Sequence, residues 1–519
     1  MSEEEVFFAR KASGLVRELT PWDAAVWAFG VAAVSGITFY SVRLPWRFPG
    51  ADPVLSFFIV SALLFPIAFT LSMLMSTMPR SGGLYVAVSR ILGPEVGFLT
   101  LWTMVIGWGL LIGLWGIVSG KLFGSLFVMA GIPGGEWLQT PFPGAFTWGL
   151  IFVLIFWFTS FLGIKYAKWV TRILTYIPLA ALLITSAYFL ILGPQNALTA
   201  FSKAWNIDVS KLIDTAVSLG YKNPSFSWAA TIASFVIPLW AWTGFEAITY
   251  AGGEVKSPKS SMLYGFNGGY LLVWFMYTLI PFSLYYAFGN IIGPYNFLYH
   301  YPEVHPGENP LSSFMKPTEP SVPFFAYAAF GGGVLGTLMA LLILLVYLKG
   351  IPPVFVSTSR MLFALAFDRA LPPKLSEVDS RGSPRIAVTV VAVWGIIGLI
   401  LAALSVDAIL GILDYTMLGF FWFMGIAAML LPFKKKEIYE TSPIRWSVGG
   451  VPLITILGLL STVIGFFVAA FSIMEFDYSM ASVMAIFYGI GFALYAWQQY
   501  RNSKEGIDTS KIYSVLPPA

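Results

Sequence analysis

Two stretches set small and polar residues inside runs apolar enough to cross a bilayer. Gly30, Ser35 and Gly36 lie in WAFGVAAVSGITFY, and Thr243, Gly244 and Glu246 lie in WAWTGFEAITY. A helix broken at such points frees N–H and C=O groups that are costly in lipid but useful where they line a polar cavity. The positive dipole end of a half-helix around Ser35, Gly36 and Ile37 suits a carboxylate. Carbonyls around Trp240, Ala241 and Thr243 suit an ammonium group, so the two interruptions together suit a small zwitterion. Singly, each is equally compatible with close helix packing. Their matching positions favour a site.

Other residues could carry charge or bind ions. A buried Glu246 could load and release a proton, or serve as a structural carboxylate bonded to a neighbouring element. Lys349, in LLVYLKGIPPVFVSTS, stands roughly 12 Å of helix rise before Ser357. It is read as a fixed cation near the site, as a group that titrates if burial depresses its pKa, or as a side chain snorkelling outward. The hydroxyls of Ser357 and Thr358, with the carbonyls of Gly30 and Ala33, offer the oxygen ligands a sodium ion takes; the alternative is bonding back to their own helix. Lys121 is expected at a membrane interface and Asp414 at a solvated helix end. His300 and His305, the only histidines, fall in YHYPEVHPGENP, expected to be a solvated loop because Pro302 and Pro306 interrupt helical spacing. They are given no metal role.

The elements that must position these groups are membrane helices. The 519 residues are 57% hydrophobic and 11% charged, too apolar for a soluble globule. Twelve spans are read, beginning near Ala24, Val54, Val96, Ala145, Ile173, Trp228, Gly265, Gly336, Ile386, Ile409, Leu453 and Met480. The eighth, Gly336 to Ala366, is longer than the hydrocarbon is thick, so it must tilt or start outside it. The segments Gly193–Ser227 and Gly289–Pro323 are expected as long outer loops. Arg80, Arg90, Lys165, Lys168, Lys256, Lys259, Lys374, Arg381, Arg385 and Lys434–Lys436 fall on one side, which places both termini in the cytoplasm. Arg43 and Arg47 are exceptions, read as interfacial anchors. The polar, acidic start without a small-residue cleavage site leads us to expect a retained first span. With no cysteine, neither a disulfide nor a thiolate metal site is available.

The two interruptions lie five spans apart, and an odd number turns the second five-helix unit over relative to the first. The expected architecture is therefore all-α, with an inverted 5+5 repeat (residues 22–192 and 228–431) and two extra helices in 450–500.

Four stretches carry a family resemblance: VSGI at Val34 to Ile37, PRSGGLYVAVSRILGPEVGF at Pro79 to Phe98, WTGFEAITYAGGEVKSPK at Trp242 to Lys259, and STSRMLFALAFDRALPPKL at Ser357 to Leu375. In that order they resemble the amino acid, polyamine and organocation (APC) transporter superfamily, and the last two spans resemble it only in hydropathy. The resemblance implies a leucine-transporter-type fold working by alternating access, with Trp240 as an aromatic gate over the substrate and Pro79–Tyr85 as a cytoplasmic loop against which the bundle moves. For Trp242 a pocket role and a packing role stand side by side. Val34 replaces a glycine common in relatives and narrows the expected pocket. Pro178 stands in the fifth span where relatives often carry a lysine in place of a bound sodium ion, so Na⁺, H⁺ and exchange all remain open.

The expected function is secondary transport of an amino acid or small amine, with no cofactor beyond a coupling ion. A polyamine or another organic solute on the same fold is the alternative. A membrane enzyme would need clustered catalytic side chains, and no histidine falls within a span; a channel would give only downhill flux. No phosphate-cradling GxxxxGK[ST] loop is present to bind ATP, and nothing suggests a nucleic-acid partner. Oligomeric state is not read from the sequence.

Overall fold

The computed structural model describes residues 8–32, 34–474 and 478–518. Among them, ten helices are long and apolar enough to cross a membrane. The sixth and tenth expected spans contribute the shorter apolar helices Trp228–Ala241 and Phe421–Lys434.

The first span is two helices, α1 (Pro21–Val31) and α2 (Val34–Arg47). Thr20 and Asp23 start α1 with a reciprocal capping box, Pro21 occupies its first turn, and Arg172 holds Asp23 at 2.7 Å. The chain leaves the helix at Ala32, whose ψ of 129° is extended. The second span is α3 (Pro53–Thr77), capped by Asp52, and a short helix α4 (Leu84–Leu92) leads into α5 (Pro94–Met129). Then come α6 (Phe146–Phe161) and α7 (Ile164–Trp205).

The sixth span is broken into α8 (Trp228–Ala233), α9 (Val236–Ala241) and the single turn α10 (Ala247–Tyr250). Gly244 sits in its break at φ 95°, and a Cβ there would stand 2.4 Å from Val31 Cγ1. Glycine is thus required twice, for the left-handed backbone and for contact with the break in the first span.

The seventh span is α11 (Asn267–Val304). The eighth is interrupted: α12 (Gly333–Leu344), a 3₁₀ turn at Leu345–Tyr347, then α13 (Ile351–Phe367). The remaining spans are α14 (Arg385–Leu404), α15 (Val406–Lys434), α16 (Leu453–Met474) and α17 (Tyr478–Lys504). Helices α5 and α14 cross at glycines, since a Cβ on Gly113 would fall 2.0 Å from Leu399 N. Such small-residue crossings let membrane helices approach backbone to backbone.

Two loop expectations are corrected. Helix α7 bends at Gly193 but continues to Trp205, and Val209–Ser218 is also helical. Helix α11 runs through Pro294 and Pro302, so His300 lies in a helix and is buried, stacked on Trp46 with its Nδ1 2.7 Å from Glu303 Oε1. Proline removes only one donor, and side-chain contacts to neighbouring segments hold the helix in place: Asn296 donates to Val42 O, Tyr295 to Thr318 O. No cluster of metal-ligating side chains occurs among the described residues.

Candidate functional site

The breaks in the first and sixth spans meet, and each is met by a buried titratable side chain, Lys349 at the first and Glu246 at the second. Helix α1 ends with carbonyls lacking helical partners, at the negative end of its dipole. Lys349 Nζ donates to the carbonyls of Phe29 (2.7 Å), Gly30 (2.6 Å) and Ala32 (3.1 Å), and lies 5.2 Å from the centre of the Phe29 ring. Lys349 is 2% exposed, so the structure sets aside outward snorkelling and places the amine inside, at the break. The interruption at Leu345–Tyr347 sets it there, and this break also answers the excess length of the eighth span.

In the sixth span Glu246 is 3% exposed and accepts the Gly244 N–H at 3.1 Å. Glu246 precedes α10, and its carboxyl folds back onto the main chain of the break rather than capping that turn. Glu246 thus faces protein within the break, as both of its readings require.

A cavity of about 240 Å³ lies beside the two breaks, lined by Gly36 and Tyr40 of α2, Trp240, Trp115 of α5 and Tyr347. Trp240 meets Tyr40 edge to face at 5.3 Å, and Tyr347 and Thr38 share a hydrogen bond of 2.9 Å. Arg43, Lys121 and Glu319 also line it. Burial raises the Glu319 carboxyl above its ordinary range, opposed by the positive charges of Arg43 and Lys121. These charged residues were missed as a group by sequence reasoning; the only signal was Arg43 and Lys121 lying close to the ends of apolar runs.

The expected site residues divide. Gly36 and Trp240 line the cavity, and Ile37 is buried one residue along α2. Ser35 is described only as helical backbone, Ala33 lies outside the described residues, and the Asp414 side chain does too. Trp242 is corrected to a packing residue: its indole donates to Ser61 Oγ at 2.9 Å and stacks on Tyr270 at 4.0 Å. Ala241 O accepts the Tyr277 hydroxyl at 2.5 Å, and Trp240 O accepts the Thr243 N–H at 2.9 Å. Of the four oxygens expected around a sodium ion, Gly30 O is taken by Lys349 and Ser357 Oγ donates to Ala247 O at 2.9 Å. Thr358 Oγ1 is buried without a hydrogen-bond partner among the described residues.

The other end of the bundle is sealed. Arg360 forks onto Glu254 with bonds of 2.8 and 2.7 Å, and Arg90 pairs with Asp368, one bond at 3.0 Å; all four side chains are buried. Glu254 O also accepts the N–H groups of Glu18 and Leu19, and Gly82 N donates to Tyr250 O. These four ions lie within the resembling stretches, but nothing in sequence order tells which one faces which.

A family profile described as "Amino acid permease" matches residues 19–494. The chain is 26% identical over 219 residues to the serine/threonine exchanger SteT of Bacillus subtilis (strain 168), covering 41% of this chain and 42% of that protein. It is 28% identical over 261 residues to an uncharacterized transporter of Rhizobium meliloti (strain 1021), covering 49% and 50%. The matched stretches thus span half or less of those relatives. The crystal structure of MhsT in complex with L-phenylalanine superimposes with a TM-score of 0.59 at 16% identity, covering 88% of this chain and 99% of that one, a likeness of fold.

Proposed function

The chain belongs to the amino acid permease family, and on that footing we propose that it is a secondary transporter exchanging zwitterionic amino acids across the cell membrane. The observation that carries the proposal is the single cavity shared by Gly36, at the start of α2, and Trp240, beside the break in the sixth span. A substrate carboxylate would meet the N–H groups of the first turn of α2, around Ser35, Gly36 and Ile37. Its ammonium would face the main-chain carbonyls around Trp240, Ala241 and Thr243. Trp240 and Tyr40 would close over it.

The end of the bundle bearing Arg80, Arg90 and Arg360 is taken as cytoplasmic, with both termini there, and residues 22–192 and 228–431 as the two five-helix units. In this state the cytoplasmic end is closed by the Glu254–Arg360 and Arg90–Asp368 pairs, and alternating access requires that they separate or move together.

For coupling we favour exchange. The Lys349 amine already occupies the carbonyls a metal cation would need, and SteT is named as an exchanger. Reconstituted protein should take up a labelled zwitterionic amino acid faster when the liposomes hold the unlabelled one. Replacing sodium by choline should leave uptake unchanged. Strict sodium dependence would overturn the coupling, and the absence of counterflow with every amino acid tested would overturn the function.

A further inference from the structure

The helix and tail that follow the twelve spans play no part in the substrate cavity, yet they are built into the closed end. After α17, the turn α18 (Thr509–Ile512), capped by Asp508, drives Ile512 into full burial. Tyr513 follows, its ring 5.2 Å beneath the Arg90 guanidinium and its hydroxyl 3.4 Å from that of Tyr85. The next residues are held by their main-chain carbonyls: Ser514 O accepts from Lys435 Nζ (3.4 Å), Val515 O from Arg90 Nε (3.3 Å) and Pro517 O from Arg80 Nε (2.6 Å). Pro517 and Pro518 line a small cavity with Arg80, Gly253, Phe363 and Asp368.

The tail therefore spans the Pro79–Arg90 segment and the end of the eighth span, and Arg90 serves it and Asp368 at once. Its main-chain carbonyls bond side chains rather than a ladder, and Ser514 and Val515 are exposed between the buried Ile512 and Tyr513 and the buried Pro517. Segments held this way belong to the low-stability part of a fold. We propose that residues 509–518 form a strap that holds the cytoplasmic end shut and must leave its seat for that end to open. The strap rests on the alternating-access reading above. When it is seated, the tail carbonyls bind Arg80 and Arg90; when it lifts, Arg90 keeps Asp368, Ser89 and the Tyr85 ring but loses the Val515 carbonyl and the Tyr513 ring.

The natural chain has no cysteine, so introduced thiols stand alone. Thr249 is fully buried at the seal, beside Gly83. In Thr249→Cys protein, a polar maleimide applied to the cytoplasmic side reports opening without any substrate. Adding Tyr513→Ala should speed that labelling about tenfold, the shift expected when a two-state closure loses a selective contact. Joining Lys435→Cys to Ser514→Cys with a cleavable bifunctional thiol reagent should slow labelling of Cys at 249 by a similar factor, and reductant should restore it. Counterflow uptake should rise and fall in step. Labelling rates unchanged by both manipulations would overturn the strap. Labelling that responds in a protein with no uptake would support the strap and count against transport instead.

Discussion

Lys349 Nζ lies 2.6 Å from the carbonyl oxygen of Gly30, across 319 residues of sequence, with the Phe29 and Ala32 carbonyls completing its shell. The broken end of the first span thus carries its own cation. Lys349→Met removes that charge and leaves buried acceptors unmet, at ~1–3 kcal/mol for each group. Thermal melting should fall and counterflow uptake should drop about 100-fold, the scale of a lost 2.7 kcal/mol. Lys349→Arg should not rescue it, because a planar fork cannot point at three carbonyls as an ammonium does. Wild-type uptake in Lys349→Met would discount the resident cation.

Gly244 tests the contact between the breaks. Gly244→Ala places a methyl group against Val31 and forces a left-handed backbone, the latter costing ~1–2 kcal/mol. Val31→Ala in the same protein should recover the steric part of the melting loss and leave the backbone part. Full recovery would mean that the φ of 95° carries no strain.

The Glu254–Arg360 pair is fully buried and forked. Truncating either partner to alanine should destabilise by ~3–5 kcal/mol, since a charge is left alone in the interior. The double variant should lose much less than the sum. Additive melting losses would show that the two do not act as a unit.

At the cavity rim, burial raises the Glu319 carboxyl. A raised carboxyl binds its proton more tightly in the folded state, so its ionisation works against folding as pH rises. Glu319→Gln should therefore melt higher than wild type at neutral pH, and the gap should close as pH falls below the ordinary carboxyl value of about 4.3. A gap that persists at low pH would place its origin in packing.

Lys121 also lines the rim. Lys121→Glu should raise the KM of counterflow several-fold at low salt and much less at ~0.15 M, where exposed charges are screened over about 8 Å. A salt-independent change would remove steering as its cause.

Much of the architecture was legible in the sequence because lipid imposes one rule everywhere: apolar runs of fixed length whose backbone bonds close within the helix. The two interruptions were legible for the same reason, since small residues depart from the apolar run there: Gly30 and Gly36 flank the break after α1, and Gly244 sits in the other. Misreadings arose where neighbours override local signals. Pro302 suggested a loop, but contacts to Val42 and Thr318 hold α11 together. Trp242 stood equally for pocket and packing until Ser61 and Tyr270 were seen around it.

The sequence by itself determined a membrane bundle, two breaks five spans apart and a set of ions too costly to face lipid. Only the tertiary structure decided their partners: Lys349 with the end of α1, Arg360 with Glu254, Arg90 with Asp368 and the tail. Helical periodicity records which side of a helix is apolar, but a buried charge is satisfied by whatever oxygen or nitrogen the packing brings within about 3 Å. That distance depends on how distant segments cross, which no local pattern encodes.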